Sequence, residues 1–206
     1  MRSLVTGGCG FIGSHLVEKL LNLEHHVIVV DNLSSGRMEN LADFSDNPLM
    51  TVLERDITSR SDIQDAFDGV DWVFHLAGMA DIVPSVERPD AYFQSNVLGT
   101  LNVLQSSREA GVSRLVYAAS SSSYGIPDKY PTPEAAPIKP QYPYALTKYM
   151  GEELVLHWSQ VYALPAISLR LFNVYGPRQS PTNPYSGVIS KFLADIFSGN
   201  DLAIFG

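Results

Sequence analysis

The sequence predicts an α/β fold built on a doubly wound parallel sheet. Short apolar runs alternate with amphipathic stretches from Ser3 to Leu171, and a glycine-rich turn joins the first run to the first stretch. The apolar runs are continuous rather than alternating, which implies strands buried on both faces of a helix-covered sheet.

Taken in order, Ser3–Thr6 reads as the first strand and Phe11–Leu23 as the helix after it. Between them Gly7, Gly10 and Gly13 stand three residues apart. Gly7 permits a tight turn, and Gly10 lets backbone approach a pyrophosphate. Gly13 allows close helix–strand packing, while Phe11 and Ile12 open the helix whose first amides face the anion. Val27–Val30 is the second strand and ends at Asp31-Asn32, with Asp31 18 residues after Gly13. A carboxylate there suits a ribose 2′-hydroxyl and repels a 2′-phosphate, so NAD is favoured over NADP, with Arg37 the nearby residue that would argue otherwise. Thr51–Leu53 is the third strand. The following Asp56-Ile57 either contacts an adenine ring, or Asp56 or Thr58 caps the segment Ser61–Phe67.

Trp72–Leu76 is the fourth strand, and Leu76-Ala77-Gly78 after it are small enough for backbone to line a cofactor. His75 shares no metal-ligand spacing with a second His, Cys or carboxylate, so no metal is expected. Ala91–Ala110 reads as one long helix and Leu115–Ala118 as the fifth strand, followed by the serine run Ser120–Ser123. A proline-rich loop over Ile126–Pro143 leads to a helix over Tyr144–Tyr162, and Pro165–Leu171 is the sixth strand. Asp201–Gly206 looks like a strand that begins with nothing to pair with, so the chain is expected to be a fragment or to lack most of a second domain.

The bulk composition excludes several classes. A net charge of −8 argues against nucleic acid as a partner. No apolar run is long enough to cross a bilayer, and the N-terminus enters a strand directly, so neither a membrane span nor a cleaved leader is expected. The lone Cys9 cannot form an internal disulfide, in keeping with a reducing cytoplasm.

Chemistry is signalled by Tyr144 and Lys148. A phenol four residues before an ammonium puts both on one helix face, about one turn apart. An ammonium at ~4 Å is worth about 4 kcal/mol at an effective dielectric of ~20, or roughly three pKa units. Lys148 is therefore expected to draw the Tyr144 phenol toward neutrality, where a general base works well.

Together these residues resemble the extended short-chain dehydrogenase/reductase superfamily, in particular its NAD-dependent nucleotide-sugar epimerase/dehydratase branch. The matching segments are Gly7–Gly13, Asp31-Asn32, Asp56, His75–Gly78, Ser85-Val86, Asn96–Thr100, Ser120–Gly125, Tyr144–Lys148 and Leu169–Arg178, in one order over the whole chain. The resemblance implies a Rossmann-type NAD-binding domain over 1–175 that carries the catalytic residues. Residues 176–206 would begin an incomplete substrate-binding domain, and relatives continue for about another hundred residues.

By the same resemblance Tyr144 is the base, Lys148 lowers its pKa and bonds the nicotinamide ribose, and Ser120 holds the reacting hydroxyl. Asn96 supports the backbone around the cofactor, and Phe172 and Asn173 pass beside the nicotinamide and substrate. Ser85, Ser121, Ser122 and Arg178 are candidate substrate contacts. The helices over 91–110 and 144–162 would pair into a homodimer.

Dehydratases of this branch carry Asp and Glu in the two positions after the catalytic serine, and decarboxylases keep the Glu. Here those positions are Ser121 and Ser122. The resemblance therefore implies 4-epimerisation of a UDP-sugar, closest to UDP-glucose and UDP-N-acetylglucosamine 4-epimerases. UDP-uronic acid 4-epimerases and deoxysugar-nucleotide 2-epimerases are the alternatives, and a non-catalytic NAD sensor is the alternative of a different class.

Overall fold

The computed structural model describes residues 1–180 and 188–202. Six strands form one parallel sheet: β1 (Arg2–Thr6), β2 (His26–Asp31), β3 (Met50–Glu54), β4 (Trp72–His75), β5 (Arg114–Ser120) and β6 (Ala166–Leu171). Their order is β3-β2-β1-β4-β5-β6. Winding thus runs outward from β1 to β3, then restarts beside β1 and runs the other way. The reversal leaves a crevice beyond the carboxyl ends of β1 and β4, where open α/β sheets bind ligands. Register brings the ends of the strands level there, with Thr6 beside both Val30 and His75.

Alternate residues of each inner strand enter separate cores. Leu4, Ile28, Val30, Val73, Leu115 and Tyr117 face one side. There they meet α5 (Gly99–Glu109) through Val103 and Leu104, and α6 (Pro143–Tyr162) through Val155 and Trp158. Val5, Val27 and Val29 face the other side, against Val17, Leu20 and Leu21 of α1 (Phe11–Asn22) and Leu41 of a 3₁₀ turn over Met38–Phe44. This two-sided burial is why the strands read as continuous apolar runs. Cover on the α1 side stops short of the sheet edge, where Ile167 and Leu169 of β6 are exposed.

The long helix expected over Ala91–Ala110 is interrupted. It forms α4 (Pro89–Phe93), a π-helical turn over Gln94–Leu98, and then α5. A π turn inserts one residue into the helical ladder, and such insertions cluster at functional sites. The segment Ser61–Phe67 is one turn of helix, α2 (Arg60–Ile63), that tightens into a 3₁₀ turn over Gln64–Phe67. A short helix, α3 (Ile82–Glu87), follows β4 in a stretch for which the sequence reading gives no element.

The chain divides into two compact units, Met1–Phe172 and Asn173–Gly206. In the second, α7 (Val188–Phe197) exposes Ile189, Leu193, Ile196 and Phe197. Of the strand expected over 201–206, Asp201 and Leu202 have no regular structure, and the remainder lies outside the described residues. No helix among the described residues is long and apolar enough to cross a membrane.

Candidate active site

The glycine turn is packed to contact distance. Gly7 has φ +71°, and a Cβ there would lie 2.7 Å from the Ala77 nitrogen. A Cβ on Gly13 would overlap the Gly7 carbonyl oxygen and lie 2.8 Å from Gly8 Cα. At Gly10 a Cβ would meet only the Gly7 oxygen, at 3.1 Å. Gly10 caps α1 with no side-chain hydrogen bond, and the first turn, with half-buried Phe11 and Ile12, carries no acidic residue. Backbone amides and the positive end of the helix are thus left for an anion.

Asp31 ends β2, 7% exposed. One carboxylate oxygen accepts from the Cys9 amide at 3.0 Å, and the other from the Leu33 amide at 2.9 Å. Gly36 lies against it: a Cβ there would be 2.8 Å from both oxygens. The carboxylate is therefore clamped between the glycine turn and the loop after β2. Cys9 is a buried packing residue, its thiol pushed up to about 12 by burial and then by Asp31.

Asp56 neither floats nor caps α2, whose N-cap is Ser59. It accepts from the Asn32 side-chain amide at 2.8 Å and from the Thr58 backbone amide at 2.8 Å, forming an Asx turn. Partial burial works to raise its carboxyl pKa, but the interactions with Thr58 and Asn32 together outweigh burial and hold it below the usual carboxylate range. Asn32 and Asp56 line an open cleft of about 560 Å³ with Glu54, Arg55 and α2 residues. Ile57 does not face that cleft. Its side chain is in the core, where a Cβ on Gly99 would be 2.6 Å from its Cδ1, and its carbonyl accepts from Asn102 at 2.9 Å. An apolar side chain gains more from burial there than from a rim position.

The loop Leu76-Ala77-Gly78 is tied at both ends. Leu76 N donates to Thr6 O at 3.1 Å, and Ala77 N to Thr6 Oγ1 at 3.2 Å. Asn96, on the π turn, brackets Met79, and a Cβ on Gly78 would lie 2.8 Å from its Oδ1 and 3.8 Å from Lys148 Nζ. Below the loop, His75 spans Thr6 Oγ1 (2.7 Å) and Thr100 Oγ1 (2.9 Å). Thr100 donates its own proton to Asn96 O at 2.7 Å, so it accepts from His75 Nε2–H, and bare Nδ1 accepts from Thr6. This directed chain suits a neutral imidazole, and burial, with a contribution from Lys148, holds the His75 pKa down at about 3. Among the described residues no His, Cys, Asp and Glu side chains group closely enough to hold a metal.

Ser120 ends β5, 6% exposed, and its Oγ accepts from the Ser122 amide at 3.2 Å. Tyr144, in the first turn of α6, brings its phenol near enough to Ser120 for that side chain to act on it electrostatically. The Tyr144 ring stacks on Tyr142 at 6.5 Å and meets Tyr92 edge-on at 6.4 Å. One turn on, Lys148 is buried, its Nζ 4.4 Å above the Tyr117 ring centroid.

The expected electrostatics are corrected. Burial pushes the Tyr144 phenol above its ordinary value; Ser120 opposes that rise, and Tyr142 and Asp81 add to it. Burial brings Lys148 down to about 7. In the protein alone the low-dielectric site thus disfavours both charged forms, and the one-turn spacing does not by itself create a phenolate.

Other sequence candidates are placed differently. Ser85 is fully buried in α3 and its hydroxyl donates to Ile82 O at 2.6 Å, so it does not reach the site surface. Ser121 and Ser122 are half-buried on a 3₁₀ turn over Ser121–Tyr124. Phe172 is exposed after β6 and stacks on Tyr124 at 6.4 Å. Asn173 and Arg178 belong to the second unit.

Thr6, Tyr117 and Gly36 contact candidate residues, yet none has a spacing that marks it in the sequence; Thr100 and Thr147, which bond Asn96, fall inside the marked segments Asn96–Thr100 and Tyr144–Lys148. Glu152 does have such a spacing. It follows Lys148 by four residues, continuing the face of Tyr144 and Lys148.

The glycine turn, the bare start of α1, the clamped Asp31 and the Asn32–Asp56 pair lie along neighbouring strand ends, an arrangement that fits a dinucleotide. A profile of the NAD-dependent epimerase/dehydratase family matches residues 3–206. A UDP-glucose 4-epimerase of Mycolicibacterium smegmatis is 38% identical over 209 residues, covering 100% of this chain and 66% of its own. A UDP-N-acetyl-alpha-D-glucosaminuronate decarboxylase of Bacillus cytotoxicus is 33% identical over 210 residues, covering 100% of this chain and 64% of its own. The solved UDP-N-acetylglucosamine 4-epimerase of Methanobrevibacter ruminantium superposes with a TM-score of 0.94 at 36% identity, over 100% of this chain and 65% of that one. The chain therefore spans 64–66% of the length of these relatives. Site geometry and family match agree: the chain belongs to the NAD-dependent epimerase/dehydratase family, and its cofactor is NAD.

Proposed function

We propose that the protein interconverts the C4 epimers of a UDP-sugar, with UDP-glucose/UDP-galactose or the N-acetylhexosamine pair as substrates. One observation carries the reading: Ser120 and Tyr144 are brought together with Lys148 one turn along the helix, beside a serine turn that offers hydroxyls, not carboxylates, at Ser121 and Ser122. Elimination and decarboxylation call for an acid at those positions; epimerisation does not.

Gly7, Gly10 and Gly13 with the first turn of α1 would hold the pyrophosphate, and Asp31 the adenosine ribose. Asn32 and Asp56 would face the adenine. Leu76, Ala77 and Gly78, shaped by Asn96, would back the nicotinamide, with Lys148 on its ribose and Phe172 beside it. NAD, when bound, supplies a hydride acceptor and donor. Tyr144 removes the C4 hydroxyl proton and returns it to the same oxygen, so no net proton is exchanged. Ser120 orients that hydroxyl and is the group in place that works against the rise of the phenol pKa. Ser121, Ser122, Asn173 and Arg178 are assigned to the rest of the substrate.

Exposed Phe93, Leu146 and Leu156 on α4 and α6 support a homodimer through these helices, and the single cysteine supports a cytoplasmic setting. The test is to incubate the full-length protein with UDP-glucose or UDP-N-acetylglucosamine and look for the C4 epimer. Tyr144→Phe should abolish turnover while NAD stays bound; substantial residual activity would remove Tyr144 as the base. Bound NAD without conversion of any nucleotide sugar would favour a sensor.

A further inference from the structure

Glu152 is 3% exposed on the face of α6 that carries Tyr144 and Lys148. Arg170 of β6 meets it with a full fork: Nε lies 3.0 Å from both carboxylate oxygens and Nη2 2.6 Å from one. The remaining nitrogen, Nη1, turns outward to Tyr124 Oη at 2.9 Å and Glu134 O at 3.4 Å. Tyr124 Oη donates to the same Glu134 carbonyl at 3.2 Å, and the guanidinium carbon sits 4.8 Å from the Tyr124 ring centroid.

A buried ion pair adds little net stability over apolar side chains of the same volume. What this pair does that an apolar pair could not is aim a donor at the proline-rich segment 126–142. That segment has little apolar anchorage, with Ile126 74% and Tyr130 73% exposed. Its second tie is Lys139 N to Ser123 O at 2.9 Å, beside Gly125, where any Cβ would overlap the Lys139 carbonyl. Both ties end on the serine turn or on Arg170. The segment starts after Ser120–Tyr124 and ends at Pro143-Tyr144, whereas the glycine turn, Asp31 and Asp56 lie at β1, β2 and β3.

We propose that Glu152, Arg170 and Tyr124 are positioning residues that hold the proline-rich segment against the serine turn, and so set the affinity for the sugar nucleotide independently of the affinity for NAD. The proposal rests on the reaction proposed above. Arg170 is specific to the role, because a lysine can pair with Glu152 but lacks the fork to reach Tyr124 and Glu134 at once.

The test uses the full-length protein with Tyr124→Phe, which removes one hydroxyl and leaves the ion pair, beside Arg170→Lys and Glu152→Gln. Measured are KM and kcat for UDP-glucose, UDP-glucose affinity by calorimetry, NAD affinity, Tm, and tryptic cleavage after exposed Lys129. Tyr124→Phe and Arg170→Lys should raise KM about tenfold with kcat within about twofold, the pattern of lost uniform binding. Cleavage after Lys129 should quicken, while NAD affinity and Tm hold. Unchanged KM and cleavage would overturn the proposal, as would NAD affinity and Tm falling in step with KM. A wild type that neither binds nor converts UDP-glucose overturns the reaction reading and the sugar half of this one, while cleavage after Lys129 still decides whether these residues hold the segment.

Discussion

Asn96 holds Met79 by both of its main-chain polar groups: Nδ2 donates to Met79 O at 3.0 Å, and Oδ1 accepts from Met79 N at 2.8 Å. The same Nδ2 reaches Thr147 Oγ1 at 3.1 Å, tying the loop after β4 to α6. A carboxamide can donate to and accept from a peptide group in this way, and here the π turn carries it. Asn96→Leu, similar in volume, leaves both Met79 groups without their partner. It should cost about 3 kcal/mol in urea unfolding, and NAD affinity should fall with it. Unchanged stability would show that water or a neighbour replaces the amide.

At Gly13 the crowding is backbone on backbone, so no rotamer can relieve it. Gly13→Ala should abolish NAD binding in a fluorescence titration and cost about 2–3 kcal/mol. Gly69→Ala is the control: φ is +68° but nothing lies within 4 Å. It should cost about 1 kcal/mol and leave NAD binding intact. Equal effects of the two would mean that conformational strain, not contact, governs the turn.

Gly36 has ordinary backbone but faces the Asp31 carboxylate. Gly36→Ala should push that carboxylate off the Cys9 and Leu33 amides and weaken NAD about tenfold, or about 1.4 kcal/mol. The fold should be retained by circular dichroism. An unchanged NAD affinity would show that the clamp can give way without moving the ribose site.

Lys148 gives a pH dependence with a definite sign. Its pKa is about 7 when folded against an ordinary 10.5, so between those values the unfolded chain binds more protons. Stability contributed by this group therefore rises with pH across that window, and its full penalty stands below about pH 7. Without NAD, Lys148→Met should be more stable than wild type by about 2–4 kcal/mol near pH 6, the advantage shrinking as pH approaches about 10. Urea unfolding at several pH values checks this, and parallel pH slopes for the two proteins would contradict it.

Particular residues show where legibility ended. The glycine spacing, Asp31 at a strand end and the Tyr144–Lys148 pair were readable because each is a local pattern with a local cause. Asp56 was readable as a residue of interest but not in role, since cap and cleft contact share one sequence signal. Ser85 and Ile57 looked like site residues by position, yet burial sends the hydroxyl of one to Ile82 and the side chain of the other to Gly99. The interruption at Asn96 was invisible, because a π turn leaves the apolar periodicity of the flanking helices in place.

By itself the sequence determined the layering of the sheet, the dinucleotide turn and the pair of groups on one helix face. These follow from continuous apolar runs, from the 3.6-residue period of the stretches between them and from the steric freedom of glycine. The tertiary structure alone decided which groups carry charge and what braces them. Burial raises Tyr144 and lowers Lys148, and Arg170 and Glu152, 18 residues apart, meet across β6 and α6. Solvent exclusion and contacts between distant segments are properties of the folded chain, and no local pattern encodes them.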